Sequence, residues 1–306
     1  MTDVRRSHRS ATALPRRPML RPGLRVCRRP DGWLQVGLLP PTLRLPDTGE
    51  LRGVLAGMRV GAELAPLNSL HPSTARACAE LWGRGLLVDA DQLLGALGRT
   101  TQAQHPQLVE LLGRGGDVDA WRERGRARVE VRHRHLPVAA DLALEQLAAA
   151  GLAVQADGAG AADLVVLLSG RVADRRDSDD LVRADRPHVF LTCVDGVLEV
   201  GPFVEPGATG CLRCADAERA MQDPALPVVM EEYLGAPPTV VPDPVPSDLL
   251  SLAVGLLGRD VVRWVDGDRP TTWSATVRVD HALDLVPRRV PRHPACGCGW
   301  DELYAV

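Results

Sequence analysis

The sequence predicts an α/β protein of two domains: a small, winged-helix-like α+β domain at 19–90 and a Rossmann-type α/β domain at 127–306. Three observations carry that prediction. From about Leu20, short apolar runs alternate with turn signals, and helical spacing then takes over. From about Ala127 strands alternate with helices, and residues 164–168 and 189–194 are almost continuously apolar, as strands buried on both faces of a parallel sheet are. Two cysteine couples, Cys211-Leu-Arg-Cys214 and Cys296-Gly-Cys298, tie the end of the chain to its middle.

A chain of 306 residues with 45% hydrophobic content can bury two cores, at the usual ~100 to 200 residues per domain. The net charge of -3 argues against a dedicated nucleic-acid binder. The longest apolar run, 249–257, is interrupted by Ser251 and Gly255 and falls short of the ~20 residues that cross a bilayer. With no signal peptide, the expectation is a cytoplasmic protein with no membrane partner. All 36 basic residues are arginine. The absence of lysine excludes a Walker-type phosphate lysine, a Schiff-base lysine and the lysine with which adenylating enzymes meet nucleotide phosphates.

Along the chain, 1–18 reads as a disordered basic tail, with Arg5, Arg6, Arg9, Arg16 and Arg17 against Asp3. Strands are expected at 24–27, 33–36 and 42–45, the first two joined by an Asp31-Gly32 hairpin turn. A helix at 47–58 with Asp47 as its cap, a short helix at 62–67 and a third after His71-Pro72 complete the small domain. Residues 91–126 read as a linker or helical connection. The larger domain begins with a strand at 128–132, a helix at 138–149, a strand at 152–155 and the buried strand at 164–168. A helix at 178–184, the strand at 189–194 and an antiparallel return at 197–200 lead to the first cysteine couple. Residues 222–246 read as an irregular crossing, before a helix capped by Ser247 that runs to Trp264 and a last strand or strands within 272–279.

Each cysteine couple can place two thiolates on one ion, and Cys211, Cys214, Cys296 and Cys298 together complete the four-sulfur tetrahedron that structural zinc prefers. Disulfides are the alternative, but seven cysteines leave one unpaired. Cys27, Cys78 and Cys193 read as buried free thiols.

The strings Asp163-Leu-Val-Val, His188-Val-Phe-Leu and Val204-Glu-Pro-Gly-Ala-Thr-Gly-Cys-Leu-Arg-Cys214, with His293-Pro-Ala-Cys296-Gly-Cys298 returning near the end, resemble the ThiF/MoeB superfamily over about 125–306. Adenylating members open their sheet with a glycine-rich phosphate loop. Here the corresponding string, His133-Arg-His-Leu-Pro-Val-Ala-Ala-Asp141, has no glycine. The family's asparagine-arginine motif and its lysine are also absent, and no cysteine between Cys214 and Cys296 offers a thioester nucleophile. Asp157 reads as a turn residue or as a mimic of the ribose-binding acid.

A degenerate domain of this type behind a small winged-helix-like one resembles the ThiF-like (ocin-ThiF type) cyclodehydratase partners of azole-peptide and thiopeptide pathways, with Asp31-Gly-Trp-Leu-Gln-Val-Gly37 the most family-like string of the small domain. The resemblance implies a RiPP recognition element that binds the leader of a ribosomally made precursor. The chain would then be a non-catalytic partner that presents the precursor's core to a YcaO-type, ATP-dependent cyclodehydratase for thiazoline or oxazoline formation. No ATP is expected on this chain, and a homodimer is. The leader would add as a strand to the edge at Thr42, Leu43, Arg44 and Leu45, its side chains entering a groove beside Thr74, Ala77, Cys78 and Leu81. Arg44, Arg76 and Arg84 would steer an acidic leader. The alternative is an active ThiF/MoeB-like adenylyltransferase for a sulfur-carrier protein. A winged-helix DNA regulator is a third reading.

Overall fold

The computed structural model describes residues 13–40, 42–158, 161–237, 245–294 and 296–298. The chain divides into two compact units between Arg122 and Glu123. Most of the basic tail, 1–12, lies outside the described residues. Its last part is not a free tail, because Arg16 pairs with Glu63 and Arg17 with Asp91.

In the first unit, β1 (Pro18–Leu20) pairs antiparallel with β5 (Leu87–Asp89). A separate antiparallel sheet takes the order β2 (Val26–Arg28), β3 (Trp33–Val36), β4 (Leu43–Pro46). The Asp31-Gly32 turn joins β2 to β3, and Gly32 has the positive φ of 79° that such a turn needs. Leu34 faces Leu45 and Val36 faces Leu43, so both pairs point to one side. There they meet Leu51, Leu55 and Met58 of α1 (Gly49–Arg59) and Ala77, Cys78 and Leu81 of α2 (Pro72–Gly83). The cap of α1 is Thr48, not the expected Asp47, whose carboxylate is taken by Arg28 and Arg52. The short helix expected at 62–67 is a single 3₁₀ turn, Leu67–Ser69. The stretch at 91–126 is helical: α3 (Ala90–Leu97), α4 (His105–Gly113) and α5 (Val118–Arg126), the first two sharing a core of Val88, Leu93, Ala96, Leu108 and Leu112.

The second unit holds β6 (Arg128–Arg134), α6 (Pro137–Ala149), β7 (Ala153–Ala156), β8 (Leu164–Ser169), α7 (Arg175–Arg183), β9 (His188–Val194) and β10 (Val197–Val204). Then come α8 (Leu212–Gln222), α9 (Leu226–Gly235), α10 (Ser247–Val265), β11 (Ala275–Val279) and β12 (Arg288–Arg289). One seven-stranded sheet runs β12-β11-β10-β9-β8-β6-β7. Strands β7, β6, β8 and β9 are parallel, and β10, β11 and β12 antiparallel. Helices α6 and α10 cover one face over Val129, Val131, Val166, Leu168 and Leu191. On the other, Leu181 of α7 and Leu212 of α8 pack on Val165, Leu167 and Phe190.

Two elements differ from the expected pattern. Ser247 is the first residue of α10 rather than its cap, which is Pro246. Part of the expected irregular crossing is the helix α9, which starts with a proline near its N-terminus; residues 238–244 lie outside the described residues. As expected, only residues 157–163 separate β7 from β8, whereas a parallel crossover ordinarily takes a dozen residues or more. The Gly158 amide donates to the buried Glu130 carboxylate of β6, and Asp163 accepts the Arg128 amide. No helix among the described residues is long and apolar enough to cross a membrane.

Candidate functional site

The four cysteines of the two couples converge. Strand β10 ends at Val204, and the following loop delivers Cys211 immediately before α8 and Cys214 into its first turn. Gly210 lets the returning C-terminal segment come close: a Cβ there would lie 2.2 Å from the Val290 carbonyl oxygen. The Ser274 hydroxyl accepts the Gly210 amide, and the Cys296 amide bonds to the His293 carbonyl. All four sulfurs lie within 4.8 Å of one another. The distances Cys211–Cys214 of 3.8 Å, Cys211–Cys296 of 3.5 Å and Cys214–Cys298 of 3.4 Å approach the ~3.8 Å edge of a tetrahedron with metal–sulfur bonds of about 2.3 Å. They are far too long for disulfides, and all four cysteines are free. Burial pushes the Cys296 thiol up to about 12, while the hydrogen bond from Cys211 pulls Cys214 down to about 4. Such a cluster can hold a metal ion, and its four-sulfur donor set is compatible with zinc. A backbone hydrogen bond from His293 favours the Cys214 thiolate.

At the C-terminal ends of the parallel strands, where an open α/β sheet binds ligands, lies a cavity of about 260 Å³. Its lining includes Arg132 and Arg134 of β6, Asp157 after β7, Ser169 of β8, and Asp174 and Asp177 at the start of α7. The charges pair among themselves. Arg132 holds Glu130 at 3.0 Å and Asp157 at 3.5 Å; Arg134 holds Asp177 at 3.0 Å. Burial raises the Glu130 carboxyl, but hydrogen bonds from Arg132 and Gly158 outweigh it and leave the group below its ordinary value. The turn after β6 carries no glycine, and Pro137 in the first turn of α6 removes a backbone donor that an anion at a helix N-terminus would use. Asp157 is therefore a salt-bridge partner. The pairing across 130–177 is invisible in the sequence, because it needs the strand register.

In the first unit, the order β2-β3-β4 leaves β4 at an edge, with no further strand on it among the described residues. Thr42 precedes the strand; Leu43 and Leu45 point into the core, and Arg44 is exposed. Thr74, Ala77, Cys78 and Leu81 of α2 are each no more than 3% exposed, so they fill the unit's own core rather than lining an open groove. Thr74 also donates to the Glu50 carboxylate. Burial pushes the Cys78 thiol up to about 11, and Cys193 is likewise buried, but Cys27, expected inside, is exposed because it lies on the outer face opposite Gln35. Arg44 and Arg76 are exposed, and Arg84 is bound to Glu80.

No protein-family model and no curated protein matches the chain. Solved structures do. A structure described as a heterocyclase in complex with substrate and cofactor superposes with a TM-score of 0.67 at 16% identity over 92% of this chain. The heterocyclase TruD gives 0.65 at 16% identity over 94%. MccB of E. coli, described with succinimide, gives 0.62 at 11% identity over 93%. The chain shares the fold of the heterocyclases and MccB. It spans 39% and 44% of the two heterocyclase chains but 99% of MccB.

Proposed function

We propose that the chain is a leader-binding partner in ribosomal peptide modification, presenting a precursor's cysteines, serines or threonines to a separate YcaO-type cyclodehydratase. The observation that carries the reading is the self-neutralised crevice on a heterocyclase-like fold: where a nucleotide would bind, both arginines are already held by carboxylates, and the turn after β6 carries no glycine.

The first unit is then a winged-helix-like recognition element. It carries 17 arginines against 11 acidic residues, a net +6, and the second unit 19 against 28, a net -9. An acidic leader is drawn to the former. The leader pairs its main chain with the open edge of β4. Because Thr74, Ala77, Cys78 and Leu81 are core residues, selectivity comes from the exposed Arg44 and Arg76 beside that edge, or from a shift of α2 on binding. Structural zinc sits on Cys211, Cys214, Cys296 and Cys298 and fixes the C-terminal segment; this chain binds no ATP, forms a homodimer and acts in the cytoplasm.

The test is fluorescence anisotropy with a labelled precursor leader. Tight binding by the whole chain, lost on deleting 19–88, supports the reading, and equal binding by the shortened chain overturns it. ATP–pyrophosphate exchange catalysed by the chain would instead favour the adenylyltransferase.

A further inference from the structure

The three-stranded sheet ends on its other side at β2, on which no further strand lies among the described residues, and beside this edge, unlike at β4, there is a groove. Val26 and Arg28 sit opposite Val36 and Leu34, so both point to the side that carries the core. Facing them on α1 is the stripe Arg52, Ala56, Arg59, spaced by four and three residues and therefore on one helix face. Between strand and helix lies a cavity of about 150 Å³ floored by Leu34 and Leu55 and rimmed by the three arginines. Ala56 creates the space, since any longer side chain there would fill it. Arg28 and Arg52 share Asp47, while Arg59 has no ion-pair partner among the described residues.

A cation on the rim of an edge-strand groove guards it against stray pairing, because an apolar strand laid there would bury the charge; here Arg28 is compensated by Asp47, and Arg59 is the rim cation with no ion-pair partner among the described residues. A strand that brings its own carboxylates escapes that penalty. We propose that the β2–α1 groove is a docking site for an extended acidic peptide, which pairs with β2, sets an apolar side chain over Ala56 and places a carboxylate on either side. Arg52 and Arg59 lie about 10 Å apart along the helix. Strand residues i and i+4 lie about 13 Å apart on one face, a span that two flexible guanidinium stems bridge. The recognised pattern is acid-x-apolar-x-acid. The site is distinct from the β4 edge and does not depend on the leader reading.

The probe is a short fluorescein-labelled peptide centred on Glu-Thr-Leu-Thr-Glu, titrated with the whole chain at low salt and followed by anisotropy. Binding should weaken about tenfold in Ala56→Leu, which fills the cavity while favouring the helix, and in Arg59→Gln, and with a peptide whose two glutamates are glutamines. Equal affinity in Ala56→Leu, equal affinity for the glutamine peptide, or no binding by the unaltered chain at millimolar concentration each overturns the proposal. Circular dichroism confirms that both variants fold. Because Ala56→Leu leaves β4 untouched, leader binding retained in that variant while the acidic probe is lost separates the two sites; leader binding absent throughout would break the leader reading alone.

Discussion

The two ends of the second unit's sheet solve opposite electrostatic problems. Strand register places Val204, which leads to the four cysteines, against His188 at the start of β9; the crevice lies at the other end, beside Ser169 and Arg134. At the cysteine end, four ionisable groups of like kind converge, and the nearby Arg213 is itself bound by Asp179. At the crevice end, each guanidinium is matched by carboxylates from neighbouring elements. A site whose charge the chain does not compensate calls for a ligand; one whose charge is closed internally has no such need. The cysteine end can therefore hold a metal ion, while at the crevice end the arginines are already engaged by carboxylates.

The most severe way to break this contrast is at the metal. Cys214→Ser should cost more than ~4 kcal/mol, the range in which losing a metal site falls, and should abolish bound zinc. Elemental analysis of the purified chain should give one zinc per chain, and a chelator should lower the melting temperature of the unaltered protein but not of the variant. An unaltered chain that melts identically with and without chelator would contradict a structural metal.

Buried charge that is closed internally has its own fragility. Arg124 is fully buried, with a bidentate grip on Asp266 and a third bond to the Ala150 carbonyl. Arg124→Ala removes the bidentate bonds to Asp266 from a buried site and should cost about 3–5 kcal/mol in urea unfolding. The double variant Arg124→Met with Asp266→Leu should recover much of the loss, because well-packed apolar residues can replace a buried ion pair. If the single variant costs no more than a surface change, the pair is not closed as the geometry implies.

Much of this was legible in the sequence, and what was not has a physical reason. The uninterrupted apolar runs at β8 and β9 announced buried parallel strands, and the cysteine spacing announced that the two couples meet. The cap of α1 was misread because Asp47 and Thr48 are both good caps, and only the fold shows that Arg28 and Arg52 occupy the aspartate. The apolar stripe of α2 cannot by itself distinguish a groove from a core. Helix α9 was missed because none of its residues is buried, so it lacks the one-sided pattern that marks a packed helix. The Gly158 amide's bond to Glu130 appears only once β6, β7 and β8 are in register.

A third prediction sharpens the comparison with a group that is buried and kept neutral. Burial drives the His188 imidazole from its ordinary 6.5 down to about 4, and its two nitrogens face the Arg186 carbonyl and the Ser178 hydroxyl. The folded value lies below the unfolded one, so between pH 6.5 and 4 the unfolded chain binds the extra proton. Stability is therefore full above pH 6.5 and falls as the pH drops towards 4, by about 3 kcal/mol at ~1.4 kcal/mol per unit. Urea midpoints at pH 7 and 4.5 should differ less in His188→Gln than in the parent. An equal difference would mean that His188 is not held neutral.

The smallest effect tests the crevice. Arg134 and Asp177 are partly exposed, so Asp177→Asn should change stability by less than ~1 kcal/mol. Its consequence should appear in ligand response instead, because it removes a carboxylate from Arg134, and adding Asp157→Asn removes one from Arg132. Millimolar inorganic pyrophosphate should leave the melting temperature of the parent unchanged but raise that of the double variant. A dissociation constant equal to the added concentration corresponds to a gain of ~0.4 kcal/mol. Should the parent itself respond to pyrophosphate, its arginines are available to an anion despite their partners, and the crevice joins the cysteine cluster as a site that awaits a ligand.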